Sequence, residues 1–225
     1  MFTTVATILA ASATVVSAAA VPINNTPRGL SGSASVTPHV QYSSSIGVLG
    51  CKINTDRVAY WPGSVNCDDI CVKVSHGGRS LHLLRVDSSA GAYDISYDAW
   101  NYLAHGTSAR DDPQMGGGVP MDYRYVDPSE CADLLDEGGK LPLSAANSMN
   151  YVASCLDNGS WAGKNHVLYN IANPTCTIGH NEKCSLDLAV SNQPDCPSGL
   201  GTGGVLKGNQ VKNIEYGTGE VTVAL

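Results

Sequence analysis

RVDSSAGAYDISYDAW, residues 85–100, places two aspartates, Asp87 and Asp94, seven positions apart in a mostly apolar stretch. Asp87 closes the strand-like run Arg79–Asp87 (RSLHLLRVD), a loop of Ser, Ala and Gly follows, and Asp94-Ile95-Ser96 leads into YDAWNYL. Ser96 suits an N-cap, and Ala99, Trp100 and Leu103 fall on one side of the helix this spacing predicts. The question is whether the two carboxylates do chemistry or hold up the scaffold.

The flanking sequence predicts strands. Cys71–Ser75 (CVKVS) alternates Val72 and Val74 on one face, His76-Gly77-Gly78 turns, and Arg79–Asp87 returns, which is a hairpin signal. Leu81 and Leu83 share one face of the returning strand, and His82, Leu84 and Val86 share the other. Both faces are partly apolar, as in the wall of a closed, packed barrel. Upstream, Gly47–Ile53 and Asp56–Trp61 read as short strands. Downstream, 106–118 reads as a mobile loop, and Val119–Val126 alternates again. Pro128–Glu137 predicts a short helix after Asp127 or Ser129, and Ser144–Leu156 a second one ended near Gly159. Strand-like pieces follow at His166–Ile171, Ser185–Val190, Gln210–Tyr216 and Glu220–Leu225, the last two joined by Gly217-Thr-Gly219.

The order of strand, Gly turn, strand ending in Val86-Asp87, Gly91 loop, Asp94-Ile95-Ser96, helix to Leu103 and Gly117-Gly118-Val119-Pro120-Met121 strand resembles the double-psi β-barrel superfamily. Its members include expansins, barwin-like proteins, cerato-platanin-like fungal proteins and rare lipoprotein A. The resemblance covers about residues 46–126 of the 225. It implies a mainly β fold with a six-stranded double-psi barrel at 46–127. Residues 128–225 would be a cysteine-rich extension, wrapping the barrel or forming a second small domain. In expansin-like members the aspartate of the Asp-Leu-Ser element matters for wall loosening, and the earlier Val-x-Asp aspartate lies in the same groove; by position these are Asp94 and Asp87. The sequence departs from the family in several places. Ala92-Tyr93-Asp94 replaces His-Phe-Asp, Ser and Ala replace the loop cysteines, and no Thr-Trp-Tyr-Gly element is found.

The chain as a whole narrows the setting. Residues 1–20 end in small side chains after an uncharged apolar run, the pattern of a secretory signal peptide, which leaves about 205 residues for one or two domains. Residues 21–45, rich in Ser, Pro, Gly, Thr and Asn, predict a flexible lead-in. Cys51, Cys67, Cys71, Cys131, Cys155, Cys176, Cys184 and Cys196 are eight in number, which in an exported chain argues for four disulfides of open connectivity. Asn24 and Asn158 open glycosylation sequons. The net charge of −7, with no run of basic residues, disfavours nucleic acid and anionic membranes as partners. A neutral polysaccharide or another protein fits better.

Each candidate residue has a functional and a structural reading. Asp94 and Asp87 fit an acid/base pair of the glycosidase type, which needs two carboxyls roughly 5–9.5 Å apart. They equally fit loop hydrogen bonds and an Asx-turn. Tyr60, Trp61 and Tyr93, at strand ends or in loops, offer faces for sugar stacking, whereas Trp100 belongs with the core. His82 orients a carboxylate or lines the barrel. Cys176-x3-His180-x3-Cys184 has the look of a zinc site, but an oxidising compartment favours disulfides; no metal or other cofactor is assigned. Gly199–Gly204 reads as a turn. The expected function is that of an exported, monomeric, expansin-like protein that binds or loosens cell-wall polysaccharide (cellulose, chitin or another glucan) without hydrolysis. The alternatives are a protein-binding module, such as a protease inhibitor or an effector acting on a host protein, and a glycoside hydrolase or lytic transglycosylase.

Overall fold

The computed structural model describes residues 30–208 and 210–224. The signal-peptide reading of 1–20 and the sequon at Asn24 lie outside these. The first half of the described chain runs β1 (Ser31–His39), β2 (Val58–Pro62), β3 (Cys71–His76), β4 (Arg79–Ser89), β5 (Tyr93–Ser96), α1 (Tyr97–His105) and β6 (Val119–Tyr125). These six strands close into one barrel in the order β1-β5-β2-β4-β3-β6, with β6 returning to β1. Two pairs, β1/β5 and β2/β4, are parallel, and the remaining four are antiparallel. The mainly β, six-stranded fold class is therefore as the sequence predicts. One boundary is not: the stretch 21–45, expected to be a flexible lead-in, contains barrel strand β1. Its small residues misled. Alternation in β1 is carried by Gly32, Ala34 and Val36, and side chains this small pack inside a crowded cylinder without giving an apolar signal.

The barrel interior holds Val36, Ala59, Trp61, Val72, Val74, Leu83, Ile95 and Met121, and α1 adds Tyr97, Ala99, Trp100 and Leu103 to the same core. The β3–β4 hairpin turns through Gly77 (φ +54°) and Gly78 (φ +81°), left-handed conformations that a side chain would strain. Ser96 occupies the N-cap of α1, but its hydroxyl donates to the Asp56 carbonyl at 2.5 Å and caps no helix N–H. The other end of α1 is better satisfied. Gly106 (φ +94°) returns its N–H to the Tyr102 carbonyl, and Arg79 donates to the carbonyls of Leu103 and Ala104. The loop 106–118, expected to be mobile, is pinned. Fully buried Asn101 donates to the carbonyls of Thr107 and Asp112 and accepts the Gln114 N–H, while Asp98 accepts the Ala109 N–H and the Ser108 hydroxyl.

The second half contributes β7 (Leu141–Ser144), α2 (Met149–Asp157), α3 (Trp161–Lys164), β8 (His166–Ile171), β9 (Gly179–Cys184), β10 (Lys212–Ile214) and β11 (Val221–Val223). β7, β8 and β9 form a small sheet, and β10/β11 the expected antiparallel hairpin. The predicted strand at Ser185–Val190 is a turn region instead, with Gly179–Cys184 taking the ladder position beside β8. Gly47–Ile53 likewise forms isolated bridges and a 3-10 turn. Val58, Tyr60, Leu84 and Val86 point out of the barrel and share one core with Leu141, Leu143, Val152, Leu168 and Ile171. Four disulfides are present: Cys51–Cys176, Cys67–Cys155, Cys71–Cys131 and Cys184–Cys196. Cys176 and Cys184 are thus each committed to a different partner, which rules out the zinc reading of that spacing. Among the described residues, no helix is long and apolar enough to cross a membrane.

Candidate functional site

Strict alternation along β4 would turn Asp87 inward with Leu81, Leu83 and Arg85. It does not, because the β2/β4 register steps from Ala59↔Arg85 to Tyr60↔Asp87, leaving Val86 as a bulge. A bulge of this kind re-aims the side chain that follows it. Tyr60 also pairs with Asp94 on β5, and Asp94 with Thr37 on β1. Residues paired in register share a face, so Asp87, Tyr60, Asp94 and Thr37 form one row across four strands on the outside of the barrel. With neighbouring strands about 4.8 Å apart, the two aspartates sit about 10 Å from each other across β2.

The two carboxylates differ in what they hold. Asp87 accepts three hydrogen bonds: Oδ2 takes the Ser43 hydroxyl at 2.5 Å, and Oδ1 takes the Ser45 N–H at 2.9 Å and the Ser88 N–H at 2.8 Å. It ties the 43–45 loop to the barrel wall. Asp94 accepts the Thr37 hydroxyl on Oδ1, and among the described residues its Oδ2 has no donor. Tyr60 lies buried between them, with the His39 ring packed at 4.4 Å. Burial first, then the negative charges of Asp87 and Asp94, push its phenol far above the usual tyrosine range despite the Ser43 N–H on its oxygen. The hydroxyl therefore stays protonated. Beside the Asp87 end of the row opens a cavity of about 410 Å³ lined by Tyr42, Ser43, Ser44, Ser45, Asp87, Asn173, Pro174 and Thr175. Asp87 is the residue common to both.

The aromatic residues predicted for stacking lie elsewhere. Trp61 is 1 % exposed and sits in the barrel core against Tyr93, Tyr123 and Tyr125, and Tyr60 is 4 % exposed. Neither presents a face to a sugar, because both belong to a strand enclosed on both sides. Tyr93, one residue before Asp94, points to the barrel-lining face and stacks half-buried on Tyr123 at 5.6 Å. A hydrogen bond with Tyr93, and then burial, push the Tyr123 phenol up to about 12. Arg85 closes this end, donating to the carbonyls of Pro62, Gly63 and Ser64 and to the Tyr125 hydroxyl. His82 is half-buried and pairs with Lys73 on the outer face of the β3/β4 hairpin. It is five residues along β4 from Asp87, about 17 Å at strand rise, so it orients neither aspartate and does not line the barrel. Asn158 is exposed at the end of α2, and its side chain donates to the Ser154 carbonyl.

Sequence reasoning missed Thr37, His39, Ser43 and Ser45. All four were hidden in the supposed lead-in 21–45, and no local pattern ties the serines to Asp87, 44 and 42 positions away.

The fold and site thus define a disulfide-bonded, closed mixed barrel with a polar row on its outer wall. No protein-family model matches the chain, and no curated protein matches it. Among solved structures, the solution structure of the fungal elicitor cerato-platanin is similar, at 21% identity and a TM-score of 0.32 over 48% of this chain and 100% of that one.

Proposed function

We propose that the chain is an exported, expansin-like protein that binds cell-wall polysaccharide and does not hydrolyse it. The observation that carries this reading is the outward row Asp87–Tyr60–Asp94–Thr37, whose Asp87 end borders a cavity that presents serine, threonine and asparagine side chains. Asp94, with one oxygen held by Thr37 and the other open, is the acceptor for a sugar hydroxyl. Asp87 accepts three hydrogen bonds, all of which favour its charged form over a proton-carrying general acid, and so serves to position the 43–45 loop. The resemblance of Asp94-Ile95-Ser96 to the expansin element and the leader-like pattern at 1–20 support the same reading. The partner is a neutral glucan or chitin-like polymer, recognised through hydroxyl and amide contacts rather than ring stacking.

The test is retention of the intact protein on insoluble cellulose and chitin. Wild type is expected to be retained and to release no reducing sugar. Asp94→Ala should weaken retention roughly tenfold, the worth of one charge-assisted hydrogen bond. Absence of retention on every wall polymer would overturn the proposal in favour of a protein-binding module. Release of reducing sugar that Asp94→Asn abolishes would overturn it in favour of a hydrolase.

A further inference from the structure

A second cavity lies away from Asp94, with no residue of the Asp87–Thr37 row in its lining. About 720 Å³ in volume, it lies over the outer face of β1, β6, β3 and the start of β4, and its lining includes Lys73, His76, Arg79, Asp122 and Arg124. The register explains how it becomes basic. Ser31 pairs with Arg124, Arg124 with Lys73, and Lys73 with His82. Two cations therefore stand directly opposite each other on adjacent strands, where like charges are destabilising. The lining holds one carboxylate, Asp122, which accepts the Ser33 hydroxyl on Oδ1 and keeps its charge; it offsets part of the positive charge, but neither Lys73 nor Arg124 makes an ion pair among the described residues. Arg79 spends its Nε and Nη2 on the α1 carbonyls, leaving a charge that no carboxylate neutralises. A chain of net charge −7 has thus gathered unpaired cations on one sheet face, from positions about 50 residues apart in sequence.

We infer that this face is a second binding site, for an acidic polysaccharide of the uronate type. Arg124 and Lys73 stand side by side on adjacent strands, with Arg79 further along at the hairpin end of the same cavity, a spread placement that suits an extended polyanion. Ser31 ends the Arg124–Lys73 row, and Ser75 and Ser80 lie with Asp122 in the adjoining one, so hydroxyl-bonding positions flank the charge-pairing ones, as suits a polymer that carries both carboxylates and hydroxyls. The site does not depend on the Asp94 row.

Polygalacturonate is the probe, with cellulose as the uncharged comparator and single-stranded DNA as the polyphosphate one. The whole protein should be retained on immobilised polygalacturonate at low salt and released as salt rises. Lys73→Ser/Arg124→Ser should bind roughly a hundredfold more weakly, about tenfold per cation, while Asp94→Ala should bind polygalacturonate like wild type. Arg124→Gln alone, at an exposed position, should lose roughly tenfold and guards against misfolding of the double variant. Failure of wild type to bind, binding unchanged in both variants, or equal binding to DNA would each overturn the inference. Loss of cellulose retention in Asp94→Ala bears only on the first site.

Discussion

Asp87 and Asp94 show how far two identical side chains diverge when neighbours differ. Asp87 is a bracket and Asp94 an open acceptor. Asp87→Ala should therefore cost stability, about 1–3 kcal/mol for the orphaned 43–45 loop and Ser88 amides, measured by chemical denaturation, and should lower polysaccharide retention only through the displaced loop. Asp94→Ala should leave the melt nearly unchanged. A third aspartate, Asp98, is buried where burial would raise its carboxyl. The Arg57 guanidinium at 2.7 Å, the Ser108 hydroxyl and the Ala109 N–H outweigh that and hold it below the usual range. A carboxyl lowered in the folded state stabilises fully above its unfolded value, about 3.9, and loses that contribution as pH falls through the lower folded value. Melting temperature should thus drop below about pH 4 in wild type, and the drop should be shallower in Asp98→Asn.

At the scale of elements, the β-hairpin, α1 and β6 were legible because each combines a clear period with a marked end: Gly77-Gly78, Gly106, and alternating Val119, Met121 and Tyr123. β1 was not, because its inward positions are Gly32, Ala34 and Val36, and small residues carry little hydrophobic contrast. The site was half legible. The opening stretch contains both aspartates, but their shared orientation depends on the bulge at Val86, which alternation does not encode. The 106–118 loop was misread for a related reason: its order comes from Asn101, a buried amide on a helix, and not from its own composition. Asn101→Ala should leave two carbonyls and one N–H without partners, cost about 2–4 kcal/mol, and open a cleavage site within 106–118 under limited proteolysis.

For the whole molecule, the decisive feature is the outer wall of β2 and β4, whose Val58, Tyr60, Leu84 and Val86 share a core with the second half of the chain. Three disulfides fasten the same contact, joining Cys51, Cys67 and Cys71 to Cys176, Cys155 and Cys131. Removing one as Cys67→Ser/Cys155→Ser should cost about 2–5 kcal/mol, read as a lower midpoint in denaturant. A fragment covering residues 30–127 should show no cooperative melt, since its barrel would present that apolar wall to water; a sharp transition in the fragment would instead mark it as an independent domain. The wall has a further consequence for biogenesis. Cys51 waits 125 positions for its partner, so the growing chain emerges with a greasy flank that stays uncovered until the residues from Leu141 onward follow. Throughout that interval the nascent chain exposes apolar surface of the kind that promotes aggregation.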